Sequence, residues 1–123
     1  MSSVKTLLVL SHPHHDTPDV HEGVKLGLRL VEDPAVELRV YLMGDSVWCA
    51  VRSAPAAGDP GPSRPLAALT ERGILVGACL PCLAERDIAM DQLLPGVHLT
   101  STSELAEWTL WADKVLSWAH AAD

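Results

Sequence analysis

The sequence predicts an α/β fold built on a mostly parallel sheet. Continuous Leu/Val runs such as Lys5 to Ser11 are too apolar for a sheet with one wet face. Between such runs, apolar residues recur at helical spacing. Strand-like and helix-like segments therefore alternate, which is the pattern of βαβ units with right-handed crossovers.

Each element has its own justification. Lys5 to Ser11 reads as a strand buried on both faces, and His12 to Asp16 (HPHHD) as a polar loop. Thr17-Pro18-Asp19 reads as a helix start, with Thr as N-cap, Pro in the first turn and Asp near the positive helix end. Val20, Val24, Leu28 and Val31 continue that helix, and Asp33-Pro34 stops it. Val36 to Met43 is a second strand, ended by Gly44-Asp45, and a short helix is expected over Ser46 to Arg52. Ser53 to Pro65 holds four prolines and two glycines and reads as a surface loop. Leu66 to Arg72 is a helix with Gly73 as its stop. Ile74 to Ala78 is a third strand, followed by Cys79-Leu80-Pro81-Cys82 and a short helix through Arg86. Val97 to Thr100 is a fourth strand after the Pro95-Gly96 turn. Ser101-Thr102-Ser103-Glu104 has capping-box form and opens a helix to about Trp111. Lys114 to Trp118 is a fifth strand or the end of that helix, and periodicity leaves both open.

Composition narrows the function classes. A chain of 123 residues, 48% of them apolar, fits one domain over residues 1–123 with one sizeable core. The net charge of −7, with nine scattered basic residues, argues against nucleic acid and anionic membrane surfaces as direct partners. No apolar run is long enough to span a bilayer, and Met1 to Lys5 does not look like a signal peptide. A cytoplasmic location is the expectation, and there the three cysteines stay free thiols.

In parallel α/β sheets, reactive groups gather at the carboxyl ends of the strands. That rule puts His12 to Asp16, Gly44 to Cys49 and Cys79 to Cys82 on one edge. Cys79 is the leading candidate, because a thiol between a strand end and a helix start meets amide donors that favour the thiolate. The bland alternative is a small buried hydrophobe. Cys82 completes a C-x-x-C, which can resolve a disulfide, supply half a zinc site, or simply pack. His12, His14 and His15 form a dense cluster. His12 is placed to approach Cys79, and His14 and His15 are a weak metal alternative against the commoner exposed loop. No cofactor is expected. Asp45 reads as an N-cap, Cys49 as core, and Arg86 as either an anion-orienting group or a solvated helix end. Trp108, Trp111 and Trp118 read as packing or, where exposed, as an oligomer interface.

Three stretches together resemble the DsrE/DsrF-like family, which includes the TusD- and DsrE-type sulfur-relay subunits. They are VELRVYLMGDSVWCA (Val36 to Ala50), GILVGACLPCLAERDI (Gly73 to Ile88) and LLPGVHLTSTSELAEWTLWADKVLSW (Leu93 to Trp118). The resemblance implies a three-layer α/β/α sandwich with a five-stranded mostly parallel sheet, and it makes Lys114 to Trp118 a strand. It also implies a homo-oligomer, a trimer or hexamer. In relay members a cysteine after the third strand carries sulfur as a persulfide between donor and acceptor proteins, and Cys79 occupies that position. Leu80-Pro81 stands where many relatives carry Gly-Thr, and Asp87 where a glycine is usual.

Three functions compete. The first is a sulfur carrier or sulfurtransferase acting through Cys79. The second is a thiol–disulfide oxidoreductase using Cys79 and Cys82. The third is a non-enzymatic oligomeric module binding a metal or small ligand.

Overall fold

The computed structural model of the chain describes residues 3–12, 18–52 and 63–119. In chain order the elements are β1 (Val4–His12), α1 (Pro18–Leu30), β2 (Val36–Gly44), a 3-10 helix (Asp45–Ala50), α2 (Ser63–Glu71), β3 (Leu75–Cys79), α3 (Leu80–Glu85), a 3-10 turn (Met90–Gln92), β4 (Val97–Thr100), α4 (Thr102–Trp111) and β5 (Lys114–Ala119). The five strands form one sheet in the order β4-β3-β2-β1-β5. Every pairing is parallel, with no antiparallel strand among the five. All carboxyl ends therefore share one edge.

Register assigns the two faces. Leu8 pairs with Val40 and Leu116, Leu10 with Leu42 and Trp118, and Val76 with Val40. Alternation puts these residues on one face. There Gly27 of α1 approaches Leu8, Leu38 and Leu69 of α2, so α1 and α2 cover this side. The other face carries Val9, Tyr41, Gly77 and Cys79 in the complementary register. Trp108 of α4 lies over Gly77, so α4 covers the second side. Helices on both faces of a central sheet make the three layers, and the fully buried core includes Leu7, Leu8, Leu10, Val40, Leu42, Leu66 and Val76.

Gly77 is required by this packing. A Cβ there would collide with Thr100 Oγ1 and sit 2.8 Å from Trp108 Cη2. Trp108 is 5% exposed and meets Tyr41 edge-on at 6.4 Å. Arg39 stacks its guanidinium 4.0 Å from the Trp111 ring centroid.

Several expectations are corrected. β1 runs through His12, which pairs with Gly44, so His12 belongs to the strand and not to the polar loop expected from it. α2 begins at Ser63, inside the stretch read as loop, because proline is tolerated in the first turn of a helix and Pro65 falls there. Of the two readings left open from Lys114, the strand that the resemblance implies is the one formed, held by Asp113 N–H to Lys5 O at 2.7 Å and Lys5 N–H to Asp113 Oδ2 at 3.0 Å. Thr17, read as the N-cap of α1, lies outside the described residues.

Candidate functional site

The site is built where β2 and β3 end side by side. β3 finishes on Cys79, which is also the N-cap of α3 in extended conformation (φ −60°, ψ 113°). Its sulfur accepts the Cys82 N–H at 3.4 Å. A sulfur thus takes the place of the usual Ser or Asp oxygen at a helix start. Pro81 sits in the first turn, where no N–H is needed. α3 has only six residues, so these local donors matter more than its dipole.

Cys79 is 8% exposed, and Cys82 is half-buried beside it. The two side chains are in hydrogen-bonding contact. Cys82 Sγ also accepts the Gly44 N–H at 3.3 Å. Burial foremost, and then the neighbouring Cys79, push the Cys82 thiol above its ordinary value, while the Gly44 amide and Arg86 pull the other way. Gly44 holds φ 60° and ψ −143°, a combination essentially reserved for glycine. That conformation turns its amide toward Cys82.

Tyr41 joins the pair from β2. It faces Gly77 across the β2–β3 ladder, one alternation before Cys79 on the same face. Its hydroxyl reaches the Cys79 side chain. The phenol is held well above its usual value, mainly by burial and then by that sulfur. It therefore stays protonated and can donate. Cys79 Sγ is thus met by the Cys82 amide, with the Tyr41 phenol beside it.

Arg86 ties the two strand ends together. Its Nε and Nη2 both contact Asp45 Oδ1, at 2.9 and 2.8 Å, and its Nη1 donates to Cys82 O at 3.0 Å. This corrects two expectations. Gly44, not Asp45, is the N-cap of the 3-10 helix, and Asp45 is the anion that receives Arg86. Arg86 is the C-cap of α3, with a side chain only 22% exposed, so it is no solvated helix end.

The backbone of His12 lies on the same edge through its pairing with Gly44. His14 and His15 lie outside the described residues. Among the described residues, no three His, Cys, Asp or Glu side chains converge as a metal site. Cys49 is fully buried, and burial pushes its thiol up to about 12, so it belongs to the core. Tyr41 and Gly44 were not singled out from the sequence. The signal for Tyr41 is its being the one tyrosine of the chain, set between Val40 and Leu42. The signal for Gly44 is a glycine closing a strand beside a thiol-bearing loop.

Comparison with known proteins agrees with this architecture. Protein YchN of Escherichia coli K12 is 30% identical over 114 residues, 92% of this chain and 97% of its own. The same identity and coverage hold for Protein YchN of Shigella flexneri. The crystal structure of the E. coli ychN protein superposes with a TM-score of 0.80 at 28% identity, covering 94% of this chain and 98% of its own. MTH1491 of Methanobacterium thermoautotrophicum, described as a protein of unknown function, shares the fold at a TM-score of 0.73 and 16% identity, over 94% and 99% of the two chains. Residues 4–118 match the DsrE/DsrF-like family, a family associated with sulfur relay, and the chain belongs to it.

Proposed function

We propose that the protein is a sulfur carrier working through Cys79. The Cys79 thiolate attacks the outer sulfur of a donor persulfide. A new S–S bond forms on Cys79, the donor's S–S bond breaks, and the donor leaves as a thiolate. An acceptor cysteine then attacks the outer sulfur in turn, and Cys79 departs as the thiolate it began as. The observation that carries this reading is Cys79 at the carboxyl end of β3, its sulfur accepting the Cys82 amide at 3.4 Å with the Tyr41 phenol and the Cys82 thiol beside it. A reducing compartment, partner proteins as donor and acceptor, and assembly of several copies belong to the same proposal.

The test is intact-mass spectrometry after exposure to a persulfide donor. The carrier reading expects one added sulfur atom on Cys82→Ser and none on Cys79→Ser. Equal labelling of the two variants would refute it. The contact between the Cys79 and Cys82 side chains also favours a second reading, dithiol–disulfide exchange. That reading expects oxidised glutathione alone to form an intramolecular disulfide requiring both cysteines, with the unmodified dithiol recovered by reduction.

A further inference from the structure

We propose that Cys82 acts as a built-in discharging thiol, converting sulfur held on Cys79 into free sulfide when no acceptor takes it. This rests on the carrier reading above. The argument starts from placement. Cys82 is three residues from Cys79, its side chain already touches that of Cys79, and it is the more exposed of the two. The Pro81 ring limits the backbone between them, and the Gly44 amide and the Arg86 contact to Cys82 O fix the loop from outside. A second thiol held at this distance competes with any acceptor at the advantage of an intramolecular reaction.

The step balances without an added oxidant. The Cys82 thiolate attacks the inner sulfur, Sγ of Cys79. The Cys79–Cys82 disulfide forms, the bond from Cys79 Sγ to the outer sulfur breaks, and that sulfur leaves with the electron pair as hydrosulfide. The sulfane sulfur is reduced, and the two protein thiols are oxidised. A cellular thiol such as glutathione resets the dithiol. The acceptor proposed above attacks the outer sulfur, so the two routes part at the sulfur attacked. An acceptor that docks over Leu80, 45% exposed within the C-x-x-C, preserves its cargo only by outrunning Cys82.

The experiment adds glutathione persulfide to the reduced protein under anaerobic conditions and follows sulfide release and intact mass together. Wild type should release about one equivalent of sulfide per chain above the protein-free rate and end two hydrogens lighter than the dithiol. Cys82→Ser should keep its added sulfur and release sulfide at the background rate, and Cys82→Ala, as a second variant, should do the same. Wild type retaining the sulfur as long as Cys82→Ser does would overturn the discharge step and leave the carrier reading standing. Failure of both Cys82 variants to take up sulfur would overturn the carrier reading and the discharge step together.

Discussion

Tyr41 sets its hydroxyl beside Cys79 from a buried position on the neighbouring strand. A hydrogen bond to a charged partner contributes about 1.5–3 kcal/mol. Part of that is offset in reactivity, because a less stabilised thiolate is a stronger nucleophile. Tyr41→Phe on a Cys82→Ser background should therefore slow iodoacetamide alkylation of Cys79 at neutral pH by about three- to tenfold. An unchanged rate would remove Tyr41 from the site. Two positive-φ residues behave oppositely. Gly44 has open space where a Cβ would go, so Gly44→Ala should cost about 1–3 kcal/mol through backbone strain alone, read as a lower urea midpoint. Asp87 holds φ 54° where α3 ends, with Ile88 N–H to Leu83 O at 3.0 Å and Asp87 N–H to Ala84 O at 3.2 Å. That hydrogen-bond pair favours glycine at this position, so Asp87→Gly should raise stability by about 0.5–1 kcal/mol after the entropy of the freer unfolded chain is subtracted. Single-residue chemistry was unevenly legible. Cys79 stood out as the candidate because strand ends in parallel sheets are readable from apolar runs. Tyr41 did not, because which side chain of β2 faces the thiol depends on a register that only pairing supplies. Asp45 was misread because its partner, Arg86, is 41 residues away.

Elements were more legible than their limits. β1 and β3 declared themselves as apolar runs, β2 by alternation of apolar and polar residues at its start, and α4 opens with the Ser101–Glu104 capping box that its residues spell out. α2 was cut short because Pro65 in its first turn continues the proline- and glycine-rich sequence that precedes it. The last segment was ambiguous because a half-exposed strand at a sheet edge carries too weak an apolar pattern. Packing between elements was not legible at all, and Gly77 shows why. Its lack of a side chain admits Trp108, a residue of another layer. Gly77→Ala should push α4 off the sheet at a cost of about 1–3 kcal/mol, seen as a lower thermal midpoint together with a shifted tryptophan emission. A midpoint equal to wild type would mean that α4 is not held there.

For the whole molecule, burial of thiols and phenol ties stability to alkaline pH. Cys49 has its proton held up to about 12 against an ordinary 9.0. Its contribution is fully present below pH 9.0. Between there and about 12 the unfolded chain gives up this proton and the folded one does not, so stability falls as pH rises. The full span corresponds to about 4 kcal/mol, and Tyr41 and Cys82 shift in the same direction. Urea midpoints at pH 8 and pH 11 should separate strongly in wild type and less in Cys49→Ala. Parallel loss in both chains would clear Cys49 of the effect.

The strand order has a consequence for how the chain comes into being. Among the five described strands β1 comes first in the chain, and its two neighbours in the sheet are β2 and the most distant strand, β5. Leu7, Leu8 and Leu10 have their second flank closed only when residues 114–119 arrive. Throughout translation one side of β1 therefore presents unpaired amides and carbonyls beside bare leucines, the template on which nascent chains join one another. The Lys5–Asp113 clasp closes the sheet over a sequence separation of 108 residues. Pairing of β1 on both sides therefore joins the two most distant strands of the sheet.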